Sequence, residues 1–182
     1  MCIRDSHESI TIATPFKEKG CFFYTNKINC LETSGYVKYG DEEFNFSQDN
    51  TYTVLDWGRG VWPYSNMWYW ANGSTKINNK LFGFELTWGF GDTASATETA
   101  LFYDGLCHKI SDVRLEKDPE FNSSWMKPWH FISSDGRLDL TMTPFYDNYT
   151  DLMPLNLFGM NTHQVHGMFN GSVIPVSYTH LT

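Results

Sequence analysis

The chain has 182 residues, of which 41% are hydrophobic and 17% aromatic, and its formal net charge is −8 at pH 7. This length suffices for one domain or for one domain and part of a second, and the composition excludes a disordered chain, a coiled coil, collagen and an integral membrane protein. The acidic balance argues against nucleic acid as a partner, because affinity for phosphates rests largely on lysine and arginine.

Both ends of the chain resemble translated sequencing adaptors. Residues 1–6 read Met-Cys-Ile-Arg-Asp-Ser, and residues 176–182 read Val-Ser-Tyr-Thr-His-Leu-Thr. Segments of this kind are set aside before a fold is predicted. We therefore expect a metagenomic fragment with a single β-rich domain over residues 7–175, or with the end of one barrel and most of a second.

Short strand-like segments with turn residues between them follow one another along the chain. The first two lie at 9–14 and 21–25, and a hairpin is predicted across Gly40-Asp41. Asn72-Gly73 is a strong turn signal, so a strand is predicted before it and another after a short polar loop. No window of a dozen residues keeps a helical period of apolar residues. This spacing of strands predicts an all-β sandwich or barrel.

The clearest strand is Leu81 to Phe90. Large apolar side chains alternate there with Gly83, Glu85, Thr87 and Gly89, as in a strand with two different faces. The glycines favour a tight curve or the close approach of another backbone or a ligand.

Further hairpins are predicted downstream of this strand. One crosses Asp104-Gly105, and one runs from 129–132 through Ser134-Asp135-Gly136 into 137–142. Residues 164–169 are also strand-like.

Residues 55–64, which read Leu-Asp-Trp-Gly-Arg-Gly-Val-Trp-Pro-Tyr, hold the richest set of candidate functional side chains. We interpret this stretch as a loop before a strand, and functional residues often lie on such loops. Asp56 and Arg59 are expected to pair and to orient one another for a polar ligand group. A structural ion pair that closes one end of a barrel, with Trp57 and Trp62 as its plug, explains the same residues.

Trp68 and Trp70 fall on one face of the next predicted strand, and Tyr69 falls on the other. A tryptophan pair of this kind lines either a core or an apolar pocket. Exposed, coplanar rings would instead indicate stacking on sugars.

Three carboxylates lie in or after the strand at 81–90, namely Glu85, Asp92 and Glu98. A carboxylate that faces a barrel interior is costly unless it is paired or hydrated, and it would mark a functional site. The simpler interpretation is that Glu85 faces solvent.

Neither a metal site nor a cofactor is predicted. His163 and His166 are three apart on a probable strand and therefore face opposite sides, which disfavours a shared metal. The chain contains no G-x-S-x-G elbow, P-loop, dinucleotide fingerprint, H-E-x-x-H or C-x-x-C motif. Cys21, Cys30 and Cys107 are expected to be reduced thiols that bind no metal. His130 is expected to be a structural residue.

Several motifs together carry a family resemblance. They are Ala-Thr-Pro-Phe at 13–16, the run at 55–64, Trp-Tyr-Trp at 68–70, Phe-Gly-Phe at 82–84, Gly-Phe-Gly-Asp-Thr at 89–93, Glu98, Leu-Phe-Tyr-Asp-Gly at 101–105, Met-Lys-Pro-Trp at 126–129, Ser-Ser-Asp-Gly-Arg at 133–137 and His-Gln-Val-His-Gly at 163–167. In order and spacing they resemble an uncharacterised family, domain of unknown function 2804.

The resemblance implies an antiparallel lipocalin- or calycin-like barrel or a strongly curved sheet, incomplete in a fragment, with a distant likeness to carotenoid hydratases. This likeness is a fold-level analogy and assigns no catalytic residue. Barrels of this class hold a small apolar ligand in an aromatic-lined mouth. We therefore expect a cytoplasmic bacterial protein that binds a small hydrophobic or lipid-like molecule. The expected ligand-binding residues are Trp57, Arg59, Trp62, Tyr64, Trp68, Trp70, Glu85 and Asp92.

Two other functions fit the same residues. In a hydratase-like enzyme, Asp56, or alternatively Asp92 or Glu98, would protonate a double bond, and Trp57 and Trp62 would shelter the resulting cation. In a carbohydrate-binding or purely structural module, the tryptophans would stack on sugars or fill a core. The sequence leaves catalysis and the oligomeric state open.

Overall fold

The computed structural model describes residues 7–94, 96–116, 124–153 and 159–175. Within these ranges the chain forms strands and no helix, which confirms the predicted all-β class. The strands are β1 Ile10–Pro15, β2 Phe22–Glu32, β3 Gly35–Tyr39, β4 Glu42–Phe46, β5 Tyr52–Val61, β6 Tyr69–Ile77, β7 Lys80–Trp88, β8 Ala100–Tyr103, β9 Leu106–Lys109, β10 Val113–Glu116, β11 Trp129–Ser133, β12 Leu138–Leu152 and β13 Met160–Val173.

All the strand pairs in the described ranges are antiparallel. The sheets have the orders β1-β2-β5, β3-β4, β6-β7-β8-β9 and β10-β11-β12-β13. None of these sheets closes into a barrel. The prediction of a closed barrel is therefore wrong for the described residues. The alternative prediction, a curved open sheet, is consistent with the structure.

The chain divides into two compact units. Among the described residues, the first unit comprises those from His7 to Lys109 together with Pro175, and the second comprises those from Ile110 to Ile174. The first unit therefore holds β1 to β9, and the second holds β10 to β13. The assignment of residues 7–175 to one domain or to parts of two stays a prediction. The expected adaptor segments, 1–6 and 176–182, lie outside the described residues.

Local turn chemistry places three of the four predicted hairpins. β3 and β4 meet at Gly40, β8 and β9 meet at Asp104-Gly105, and β11 leads through Gly136 into β12. Asp104 and Gly105 both have positive φ, as a two-residue hairpin turn requires.

The turn predicted at Asn72-Gly73 is wrong. Both residues lie inside β6, and the chain turns at Asn78 and Asn79, which have φ of 52° and 61°. Gly73 is paired with Phe84 on β7, where a Cβ would lie 2.7 Å from the Phe84 ring. The glycine is therefore required by packing across the sheet and not by a turn.

In the first unit, the sheets β1-β2-β5 and β6-β7-β8-β9 pack face to face. The buried core between them contains Ile10, Cys30, Ala100 and Phe102. A Cβ on Gly83 of β7 would collide with Asn29 and with the Cys30 sulfur. The close approach at Gly83 is therefore made by side chains of β2, and not by the backbone or ligand that the sequence predicts.

In the second unit, β10 to β13 form an antiparallel meander. Leu138, Leu140 and Met142 of β12 share one buried face, as their alternation predicts. β12 and β13 continue as a long hairpin whose outer part exposes large apolar side chains, including Phe145 and Tyr149.

Candidate functional site

Strand β2 supplies a polar interior to the first unit. Its inward positions alternate from Phe23 through Thr25 and Lys27 to Asn29, and all four side chains are buried. A lysine that is 4% exposed is unusual, because an ammonium group leaves water only when it is well paired.

Lys27 is paired by two carboxylates from different strands and loops. Its Nζ lies 2.7 Å from Asp56 Oδ1, directly across the β2-β5 pairing, and 3.3 Å from Glu98 Oε1. The same Nζ lies 5.1 Å from the centroid of the Trp70 ring, which is within the range of a cation–π contact. Lys27 therefore joins both sheets of the first unit.

Glu98 is held on the opposite side of this ion pair. Its side chain is 4% exposed, and its Oε2 accepts a hydrogen bond from Thr87 Oγ1 at 2.8 Å. Apart from the 3.3 Å contact with Lys27, the buried Oε1 accepts no hydrogen bond from any described residue. This oxygen retains capacity for a further donor.

Glu85 lies beside the same cluster and is fully buried, so the expected solvent exposure of this residue is wrong. The sheet β1-β2-β5 covers the face of β7 that carries it. Its Oε2 accepts a hydrogen bond from Trp70 Nε1 at 2.8 Å, and its Oε1 accepts one from Asn29 Nδ2 at 3.1 Å. Burial raises the pKa of this carboxyl to about 7, against the opposing effects of the Trp70 hydrogen bond and the Lys27 charge.

Asn29 fixes the position of Glu85. Its Nδ2 also donates to the Phe84 carbonyl at 3.1 Å, and its Oδ1 accepts hydrogen bonds from Ser74 Oγ at 2.7 Å and from Cys30 Sγ at 3.1 Å. Burial raises the pKa of the Cys30 thiol to about 11, so Cys30 acts here as a neutral packing group.

A cavity of about 390 Å³ opens beside the ion pair. Half of its lining residues are aromatic. The Phe90 ring contacts two of these residues, with its centroid 4.5 Å from that of Phe23 and 5.1 Å from that of Trp68. The lining residues are Phe23, Lys27, Asp56, Gly58, Trp62, Trp68, Trp70, Thr87, Phe90 and Glu98. The cavity thus combines apolar walls with a small charged cluster, which is the usual character of a ligand site.

The structure brings together some of the residues singled out by the sequence. Asp56, Trp62, Trp68, Trp70 and Glu98 all line this cavity. Trp68 and Trp70 thus lie at the same cavity, although β6 begins at Tyr69 and Trp68 precedes it.

The expected Asp56–Arg59 pair is wrong, and so is the loop that would carry it. Strand β5 continues to Val61, and residues three apart on a strand point to opposite faces. Asp56 pairs with Lys27, whereas the Arg59 guanidinium lies over the Tyr24 ring at 5.7 Å.

The remaining candidates lie outside the cavity lining. Trp57 packs on Tyr24 with ring centroids 5.9 Å apart, on the same side of β5 as Arg59. Tyr64 is 87% exposed. The Asp92 backbone N–H donates to the Pro15 carbonyl at 2.7 Å, and Asp92 Oδ1 accepts from Ala94 N–H at 3.2 Å.

Sequence reasoning missed Lys27, Asn29 and Thr87. The strand-like segment was expected to end at residue 25, but β2 runs on to Glu32. The alternation that buries Phe23 and Thr25 continues through Lys27 and Asn29, so a longer strand would have placed both polar residues inward.

A second groove, of about 600 Å³, lies in the first unit near Lys80 and Asp104. It is more open, and these two charged side chains form an exposed ion pair. Such pairs contribute little because solvent screens them. The smaller cavity is therefore the better candidate.

The histidines of β13 make ring contacts with neighbouring aromatic side chains. His163 stacks between Trp125 and Tyr149, with ring centroids 4.2 Å and 4.4 Å away, and its Nδ1 lies 2.8 Å from Asp147 Oδ2. His166 stacks on Tyr146 instead. Throughout the described ranges, no group of three or more histidine, cysteine, aspartate or glutamate residues could hold a metal ion.

The described ranges contain no helix long and apolar enough to cross a membrane.

Comparisons with known proteins identify the family but no characterised relative. No curated protein and no solved structure gives a significant match to the chain. The family model described as domain of unknown function (DUF2804) matches residues 1–181, and the chain therefore belongs to that uncharacterised family.

Proposed function

We propose that this protein binds a small molecule with an apolar body in the cavity between the two sheets of its first unit. The observation that carries the proposal is the aromatic lining of a cavity of about 390 Å³. This volume falls at the lower end of the range for small-molecule sites, roughly 300–1,000 Å³. The ligand is therefore compact.

The exposed tryptophans at the cavity support this proposal. Trp62 and Trp68 are 48% and 51% exposed, although each presents a large apolar ring. Covering such rings is favourable by roughly 25 cal/mol for each Å² removed from water. A ligand between them would gain this free energy without any rearrangement of the fold.

Mass spectrometry of small molecules extracted from the purified protein tests the proposal. We expect a stoichiometric apolar compound in the unmodified protein and its loss in Trp62→Ala. Tyr39→Ala, which removes an exposed ring on β3 outside the cavity, serves as the matched control and should keep the compound. An empty protein, with the same extraction recovering ligand from a lipocalin, would contradict the proposal.

A hydratase-like enzyme is the second candidate, because Asp56 lines the cavity and its carboxyl group is accessible there. In this reaction, the Asp56 carboxyl would protonate one carbon of a double bond, water would add to the cation, and the proton released by water would return to Asp56. An Asp56→Asn variant that retains the extracted compound but cannot hydrate it would support this mechanism. Full turnover in that variant would contradict it.

The other functions are outcomes of the same experiments. Retention on polysaccharide that is lost in Trp62→Ala would favour a carbohydrate-binding module. Neither an extracted compound nor polysaccharide retention would favour a structural role. A cytoplasmic location remains part of the proposal and is supported by the free thiols of Cys21, Cys30 and Cys107.

A further inference from the structure

We infer that the ligand is an organic cation, an ammonium group on an apolar body, with the ammonium group beside Asp56 and Glu98. The inference rests on the proposed function and specifies the ligand class for the same cavity. Three observations support it: the charges that line the cavity, the buried Glu98 oxygen that accepts no hydrogen bond from any described residue, and the aromatic side chains of the lining.

The charges at the cavity favour a cation. Its charged lining residues are one base, Lys27, and two acids, Asp56 and Glu98. Both acids already contact Lys27, so the lining itself carries one negative charge in excess. Lys109 also acts on Glu98, but it lies outside the lining and donates hydrogen bonds to the carbonyls of Thr97 and Thr99. A carboxylate or phosphate on a ligand would meet two carboxylates, and the lining offers it no cation besides Lys27.

Glu98 provides an independent indication. Its side chain is more than nine-tenths buried, yet its Oε1 accepts no hydrogen bond from any described residue and has only the longer contact with Lys27. A buried acceptor without a donor is costly. An ammonium group in the cavity would be attracted to this oxygen and to the partly exposed carboxylate of Asp56.

The aromatic walls suit the same group. Trp62, Trp68, Trp70 and Phe90 surround the space next to the carboxylates. Indole rings attract cations placed over their faces, and Lys27 Nζ already occupies such a position over Trp70. Aromatic rings together with a carboxylate form the usual receptor for an alkylated ammonium group.

A series of ligands with one chain and three head groups tests the inference. Octylammonium, octanol and octanoate would be titrated into the 182-residue protein at pH 7.5, with tryptophan fluorescence and calorimetry as readouts. We expect the cation to bind about tenfold more tightly than octanol, with octanoate the weakest. Equal or tighter binding of octanol or octanoate would overturn the inference and leave the proposed function intact. Failure of all three, together with an empty extract, would overturn both.

Variants locate the effect within the cavity. Glu98→Gln removes a charge with little change of shape and leaves Lys27 paired with Asp56, so the affinity for the cation should fall about tenfold while that for octanol stays unchanged. Glu42→Gln makes the same charge change on the exposed strand β4 and should affect neither ligand. An equal loss for both ligands in Glu98→Gln would overturn the inference. If Glu98→Gln fails to fold, Asp56→Asn serves as the second variant, with the same expected selectivity.

Discussion

The two units of this protein place their charged groups in opposite environments. In the first unit, Lys27, Glu85 and Glu98 lie between two sheets and are almost inaccessible to water. In the second unit, His130 lies between Glu116 and Asp139, whose side chains are more than half exposed. The distances within the two clusters are similar, but the effective dielectric constant is lower around the buried cluster of the first unit. Removing one partner of an ion pair should therefore destabilise the protein much more in the first unit than in the second.

Replacing Lys27 should have the largest effect. Lys27→Met leaves Glu98 buried without a counter-ion and Asp56 without its partner, and we expect a loss of roughly 3 kcal/mol in the free energy of unfolding. Urea denaturation followed by tryptophan fluorescence measures this change. A loss below about 1 kcal/mol would show that this pair behaves like the exposed pairs of the second unit.

Glu85 should make stability depend on pH. Its pKa of about 7 in the folded protein lies above the ordinary value of 4.5, so the unfolded chain loses this proton first as the pH rises. The free energy of unfolding should therefore fall between pH 4.5 and about 7, by up to roughly 3 kcal/mol from this group. The charged and polar groups that act on it are Lys27, Asp56, Trp70 and Asn29.

The contribution of Glu85 is isolated by comparison with Glu85→Gln. Urea midpoints of the two proteins should separate with rising pH, because glutamine stands in for the neutral, protonated Glu85 and only the unmodified protein loses stability through this residue. Parallel pH curves would contradict the raised pKa.

Gly83 tests the close packing of the two sheets. In Gly83→Ala, the new Cβ would collide with the Asn29 side chain and lie 2.5 Å from the Cys30 sulfur, so these buried side chains or the strand that carries them would have to move. We expect a loss of roughly 1–3 kcal/mol in the free energy of unfolding, as for other overpacked interiors. A thermal melt that matches the unmodified protein would show that the sheets are not in contact here.

His130 should give the smallest effect. Hydrogen bonds to Asp139 and Glu116 raise its pKa above the ordinary 6.5. Its stabilising contribution should therefore be complete below pH 6.5 and disappear as the pH rises through the folded pKa. Because solvent screens this cluster, His130→Gln should cost less than about 1 kcal/mol at pH 6. A larger loss in urea denaturation would remove the contrast between the two units.

Sequence reasoning succeeded where structure is local. Alternation of apolar residues placed β7 and the buried face of β12, and turn chemistry placed the hairpins at Gly40, at Asp104-Gly105 and at Gly136. These features depend on the steric preferences of a few neighbouring residues. These strands and hairpins can therefore be predicted from the sequence without knowledge of the rest of the fold.

The errors and omissions arise from contacts between distant segments. The pairing of β2 with β5 brings Lys27 opposite Asp56, and this pairing cannot be predicted from one sequence. Sequence reasoning therefore pairs Asp56 with its neighbour Arg59 instead. The burial of Glu85 likewise depends on a sheet that includes β1 and β2. The glycine at 73 was interpreted as a turn because its packing against Phe84 involves the next strand.

The central claim is that the cavity beside the Lys27 ion pair is a site for a small cationic ligand. A crystal structure with octylammonium tests this claim most directly. We expect the octyl chain between Trp62 and Trp68, and the ammonium group beside Asp56 and Glu98 within about 6 Å of an indole ring. A cavity that stays free of ligand at saturating concentration, or a ligand bound elsewhere on the protein, would contradict the claim.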